Sequence, residues 1–182
     1  MAEFQKALAI TLSNEGSFAD RSKTTGEVVN MGVTLETLRR LDICIGPIPC
    51  NASNISPADI QYVKDLSYED VRRVYYADYW FPLGLSSLSD QNLANQLFDL
   101  AVNDGPYWPV AWLQHAVGVT ADGQVGPQTL GAANAANPVA VLTQVRAFAT
   151  AHYNAAQPAA DRPQWLARLA RMGKIAGLPE NA

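Results

Sequence analysis

Residues 14–34 read Asn14-Glu15-Gly16-Ser17-Phe18-Ala19-Asp20-Arg21-Ser22-Lys23-Thr24-Thr25-Gly26-Glu27-Val28-Val29-Asn30-Met31-Gly32-Val33-Thr34. The part from Gly16 to Val33 carries no helical period, yet helical signals stand on both sides of it. Before it, Phe4, Ala7, Leu8, Thr11 and Leu12 fall on one helix face, and that helix should end near Asn14–Gly16. After it, Thr34 can cap a helix carrying Leu35, Leu38 and Leu41. The segment itself has room for a short hairpin within 18–33.

The same helical style runs through the rest of the chain. Residues 42–55 form a Pro/Gly/Asn loop, and Ser56-Pro57-Ala58-Asp59 is a helix start: a cap, a first-turn proline and an acid at the third position. Ser67-Tyr68-Glu69-Asp70 opens another helix with Val71, Val74 and Tyr75 inward, stopped by Pro82. Leu93, Leu97, Leu100 and Ala101 form a stripe ending at Gly105, and Pro106 begins a helix that Gly118 closes. Asn137-Pro138 caps a long helix through His152, and a last helix with Trp165, Leu166, Leu169 and Met172 should stop at Gly173. The expected class is mainly α with at most a small β-hairpin.

Composition narrows the function. The chain has 182 residues, 48% hydrophobic and 16% charged, enough for a real core in one domain or two small lobes. A net charge of -4 argues against a nucleic-acid partner, which calls for a basic face. Residues 137–182 nonetheless carry five basic residues (Arg146, Arg162, Arg168, Arg171 and Lys174) against two acidic ones. They read as a solvated helix face, or as an anchor for an anionic polymer or membrane surface. Cys44 and Cys50 could close a small loop but make neither a disulfide framework nor a zinc site, and His115 and His152 stand in no metal-binding motif. No metal or cofactor is expected. The start carries Glu3 before any apolar run, unlike a secretory leader, and no stretch of about 18 apolar residues spans a membrane. The expected product is a protein made soluble in the cytoplasm and acting as a monomer.

Chemistry concentrates at Glu15. A carboxyl at a helix end, half surrounded by apolar side chains such as Phe18, holds its proton more tightly, as a general acid must. Glycosidic cleavage needs such an acid to protonate the leaving oxygen. On spacing alone, a Glu at a helix end is ordinarily a solvated surface residue.

The surrounding residues change that reading. Glu15-Gly16-x-Phe18, then Gly26 and Asn30-x-Gly32-Val33-Thr34, resembles the signature of glycoside hydrolase family 108: Glu-Gly-Gly-Tyr, a later Gly-Gly, then Asn-x-Gly-Ile-Thr. The offsets from Glu15 match without a gap, eleven to Gly26, fifteen to Asn30, seventeen to Gly32 and nineteen to Thr34. The resemblance continues in Asp78-Tyr79-Trp80 and in the run from Phe98 to Pro106. It goes on through Trp112–Leu130, similar to the predicted peptidoglycan-binding region that accompanies the family, and in the Trp165-Leu166-x-Arg168 ending.

The resemblance implies a lysozyme-like, two-lobed helical fold and an N-acetylmuramidase. Such enzymes are phage endolysins and related bacterial cell-wall hydrolases with peptidoglycan glycan strands as substrate. Residues 1–91 would be the catalytic lobe and 92–182 a helical second lobe packed with it as one unit. Glu15 maps onto the catalytic acid, between N-acetylmuramic acid and N-acetylglucosamine. The family's usual Asp six residues later is Arg21 here, and the second Gly of its pair is Glu27, so the second carboxylate does not carry over. Asp20 and Glu27 are the local substitutes, with Glu27 favoured because a hairpin could fold it back across the sugar. Asn30, Thr34, Tyr79 and Trp108 are the candidate substrate contacts. Asp122-Gly123-x-x-Gly126-Pro127-x-Thr129-Leu130 reads either as a turn feeding a helix or as a glycan contact. A leaderless lysin would reach the wall, in the periplasm, through a holin-type membrane lesion or a secretion machine. The rival reading is a wall-binding or structural protein that kept the fold and lost catalysis.

Overall fold

Serine and threonine caps, placed where the sequence predicts them, set the first half of the chain. The computed structural model describes residues 1–22, 24, 26–41, 55–156 and 159–178. The loop 42–55 therefore lies outside the described residues except for Ile55, and so does the pairing of Cys44 with Cys50. Contacts gather the chain into two compact units, residues 11–78 and residues 1–10 with 79–182. The first ten residues and 79–91 thus group with the C-terminal helices, a division different from a cut at residue 91.

In the 11–78 unit, helix α1 (Phe4–Asn14) ends where the apolar face runs out. Strands β1 (Ala19–Arg21), β2 (Glu27–Asn30) and β3 (Val33–Thr34) follow as an antiparallel sheet in that order. The expected hairpin gains a third, two-residue strand. Thr34 ends it and caps α2 (Leu35–Arg40), its hydroxyl accepting from Thr37 N–H at 3.0 Å. Helices α3 (Pro57–Lys64) and α4 (Tyr68–Tyr75) each start on a reciprocal capping box, Ser56 with Asp59 and Ser67 with Asp70. Past Tyr75 the chain widens into a π-helical turn, Tyr76–Trp80, before Pro82 ends it. Val28, Val33, Leu38, Val63, Val71 and Tyr75 are buried together as this unit's core. Asp59 is buried too, its charge met by Arg39 at 3.4 Å.

In the other unit, Phe4 at the start of α1 packs its ring against Trp80 (5.4 Å) and edge-on to Phe98 (5.8 Å). Phe98 belongs to α5 (Gln91–Asp104), in which every residue from Leu93 to Ala101 is buried. Then come α6 (Tyr107–Ala116), α7 (Pro127–Ala135), α8 (Pro138–Ala155) and α9 (Arg162–Ile175). Among the described residues no helix is long and apolar enough to cross a membrane.

Two of the five basic C-terminal residues leave the expected solvated face, while Arg171 and Lys174 stay exposed. Arg168 reaches back from α9 and forks onto the buried Asp99 carboxylate, with both nitrogen–oxygen distances 3.0 Å. That contact joins the Phe98–Pro106 run to the Trp165–Arg168 ending. Arg146 is buried on α8 and donates to the Leu169 carbonyl. Its guanidinium lies where a Cβ on Gly173 would be, 2.6 Å away. Gly173 therefore does not stop α9, which runs on to Ile175; its missing side chain admits Arg146. The actual terminus uses Gly177, at φ +70.

The Asp122–Thr129 motif is folded around Gln114, which is fully buried on α6. The Gln114 amide donates to Asp122 Oδ1 (2.8 Å), the Gln124 carbonyl (2.9 Å) and Thr129 Oγ1 (3.2 Å). Its oxygen accepts from Gly123 N–H at 2.9 Å. Of the two readings of this motif, these contacts carry the one in which a turn feeds a helix.

Removing Asp99 leaves a buried guanidinium without its fork, so Asp99→Ala should cost about 3–5 kcal/mol in a denaturant titration. A fragment of residues 1–91 lacks the Phe98 ring that covers Phe4 and Trp80. It should show no cooperative thermal transition by circular dichroism, and a sharp transition would mean that residues 92–182 are not needed for the core.

Candidate active site

Glu15 follows α1 directly, its N–H still bonded to the Leu12 carbonyl at 3.3 Å. Helix and turn together aim its side chain at the loop between β2 and β3. That loop is a two-residue turn, Met31-Gly32, closed by the Asn30↔Val33 pair. Both turn residues have positive φ, Met31 at 47 and Gly32 at +74, as a primed turn requires. Methionine rarely adopts that conformation, and such backbone persists only where its surroundings hold it.

Tyr75 supplies the hold. From the end of α4, 1% exposed, its hydroxyl donates to the Met31 carbonyl at 3.0 Å. A Cβ on Gly32 would strike that hydroxyl and stand 2.8 Å from Glu15 Oε2 and 3.1 Å from Glu15 Cδ. The carboxylate thus lies flat against glycine backbone, beside a buried phenol. The other carboxylate oxygen, Oε1, is shut off from solvent. Three segments distant in sequence meet at this point.

The other candidates are placed as follows. Asn30 is buried and spends its amide hydrogens on the Val63 and Lys64 carbonyls, both at 3.0 Å, tying β2 to the end of α3. Its position is that of a brace. Asp20 pairs with Val28 and Arg21 with Glu27 across β1 and β2, so Asp20 and Glu27 point to opposite faces of the ribbon. Asp20 Oδ1 accepts from Ser22 N–H at 2.9 Å, and Glu27 meets Arg21 at 3.5 Å, both side chains largely exposed. Glu27 and Thr34 share the lining of a hollow of about 520 Å³ with Glu36 and Arg39. Glu15 is not among its lining residues. Glu27 and Asn30 are three residue steps apart along β2, about 10 Å, which sets Glu27 at the end of β2 remote from the turn. Phe18 lies beneath the Lys64 ammonium, 5.9 Å from nitrogen to ring centre. In the other unit, Tyr79 packs edge-on against Phe98 at 6.5 Å, and Trp108 is exposed at the start of α6.

Residues 8–105 match the family model for glycosyl hydrolase 108, more than half of the chain. The chain belongs to glycoside hydrolase family 108. Residues 108–170 match a second model, described as "Predicted Peptidoglycan domain". The family 108 chain is also similar to a solved structure, SagA of Brucella abortus, at 26% identity and a TM-score of 0.77. That likeness covers 95% of this chain and 92% of the other. No curated protein matches it. The family 108 protein is thus a glycoside hydrolase that acts on peptidoglycan in the cell wall.

Sequence reading placed Tyr75 as an inward residue of α4 and gave it no partner at this turn. The signal available was its hydroxyl, since a buried Tyr needs a partner for it. Gly32→Ala should push the carboxylate off its seat, and misplacement of about 1 Å can cost on the order of 100-fold in rate. Tyr75→Phe keeps the ring and loses one hydrogen bond, so it should cost about 1 kcal/mol of stability and lower kcat more than it raises KM. Steady-state turnover of peptidoglycan by the two variants checks both expectations. Full activity in Gly32→Ala would show that the seat is not used.

Proposed function

We propose that this family 108 enzyme is an N-acetylmuramidase of the lysozyme type, with Glu15 as its general acid. The observation that carries the reading is the seat of Glu15: one oxygen closed off from water, the carboxyl fixed against Gly32 and not left to sweep through solvent. A carboxyl so held can deliver a proton to the oxygen between N-acetylmuramic acid and N-acetylglucosamine as the bond opens. The sugar then develops positive charge, and a second group must either attack it or activate water.

Glu27 remains the favoured second carboxylate, ahead of Asp20. It lines an accessible hollow, and its exposed pairing with Arg21 is worth at most about 1 kcal/mol, so substrate can displace it. Asp20 is engaged in its own turn. Distance along β2 argues for the wider of the two glycosidase geometries, since a nucleophile stands about 5–5.5 Å from the acid and a water-activating base about 6.5–9.5 Å. Glu27 therefore fits a base holding water, and inversion at the anomeric carbon. Thr34, on the same hollow, is the nearest candidate for substrate contact, while Asn30 supports the strand from behind and Tyr79 is a further contact of the other unit. A protein that binds the wall without cutting it would have no use for the seat beneath Glu15.

Mass spectrometry of digested muropeptides is the decisive measurement: reducing-end muramic acid identifies the bond cut. Glu15→Gln should lower the rate by at least about 100-fold while folding is unchanged. Glu27→Gln should lose more activity than Asp20→Asn, and both should retain more activity than Glu15→Gln. Wild-type lysis by Glu15→Gln would remove the mechanism, and near-wild-type rates in both other variants would leave Glu15 as the only catalytic carboxylate of this loop.

A further inference from the structure

Helix α6 opens with two large aromatic side chains directed outward, Tyr107 (53% exposed) and Trp108 (42%). Neither is loose. The Trp108 indole stacks over the buried Trp112, centroids 6.1 Å apart at 26°. The His152 ring from α8 stands 5.0 Å away and Tyr107 meets Trp108 edge-on at 5.3 Å. Behind Tyr107 its ring lies on the backbone of Gly123, at φ +73, where a Cβ would collide with it. Gly123 is fixed in turn by its bond to Gln114. Two rings that could cover core are held rigidly at the surface, which folding alone does not require.

The neighbouring polar groups narrow what can lie on them. His152 interacts electrostatically with Asp104, the last residue of α5. Asp104 accepts from the Tyr153 hydroxyl, and Asn103 donates to the same hydroxyl at 3.1 Å. Burial raises the Asp104 carboxyl above its ordinary range and pushes the Tyr153 phenol up as well. The cation of this network, Arg168, is turned inward onto Asp99. The surface beside the rings therefore offers an acid, an amide and an imidazole. The Asp104 carboxyl on this side would repel a carboxylate-bearing peptide stem. A neutral pyranose fits: its C–H face can lie on an indole while its hydroxyl and acetamido groups meet the polar rim.

We propose that Trp108, with Tyr107 beside it and His152 and Asp104 at its edge, is a glycan-binding subsite for an uncharged N-acetylhexosamine ring, the N-acetylglucosamine unit of the strand. The proposal rests on the peptidoglycan reading and deepens it by naming the part of the polymer that is held.

The test uses the full-length chain carrying Glu15→Gln, so that binding is read without turnover. Tetra-N-acetylchitotetraose, which has neither lactyl group nor peptide, is titrated calorimetrically, and pelleting with insoluble peptidoglycan is followed in parallel. Adding Trp108→Ala should weaken tetramer binding by about 5- to 10-fold, the scale of one aromatic stacking contact. Trp108→Phe should recover part of that loss, which separates the missing ring face from any damage to the fold. Equal tetramer affinity with and without Trp108→Ala overturns the proposal. So does loss of affinity for a muramyl peptide but not for the tetramer. Neither result depends on whether Glu15 is the acid, which the lysis assay of the single variant decides separately.

Discussion

The Glu15 carboxylate, the Tyr75 hydroxyl and the Met31-Gly32 turn occupy a space that would not admit one further carbon atom. Gly32 fits because it has no Cβ and tolerates φ +74, and the turn it completes puts the Met31 carbonyl within reach of Tyr75. Much of the 11–78 unit can be understood as support for that contact. Asn30 binds the strand to α3, Arg39 crosses to the buried Asp59, and Thr34 closes the third strand by starting α2. Each is a polar side chain spent on placing backbone, and the backbone in turn places one carboxyl.

Close approach through a missing side chain recurs in the other unit with different partners. Gly173 admits the guanidinium of Arg146, and Gly123 admits the ring of Tyr107. In both cases a large group gains contact with backbone that any other residue would deny it. Arg146 is taken into the fold in this way and Arg168 by its fork onto Asp99, so two of the five basic residues near the C-terminus serve the interior of this unit.

Helix starts were legible because their chemistry is local. Thr34, Ser56, Ser67 and Asn137 each bond to backbone within a few residues, and a sequence window of that size contains both partners. The position of Glu15 at the end of α1 was legible for the same reason. Gly173 misled because a glycine that ends a helix and one that receives a side chain from another helix look alike in sequence. The deciding residue, Arg146, is on α8. Tyr75 was likewise read as core, since its hydroxyl's partner lies 44 residues away. Glu27 was favoured over Asp20 from the sequence on the ground that a hairpin could fold it back, but only the register showed that the two face opposite ways.

Gln114 has a consequence for the conditions in which the protein can work. The loop from Asp122 to Thr129 is organised by an amide whose two N–H groups serve three acceptors and whose oxygen accepts one bond, and amides do not titrate. The one ionisable member of the set, Asp122, has its carboxyl held below the usual carboxylate range, first by the Gln124 backbone N–H and then by Gln114. A carboxyl lowered in this way keeps its contribution as pH falls past the ordinary Asp range and loses it only at the lower folded value. Mild acidification of the wall would therefore leave this loop in place.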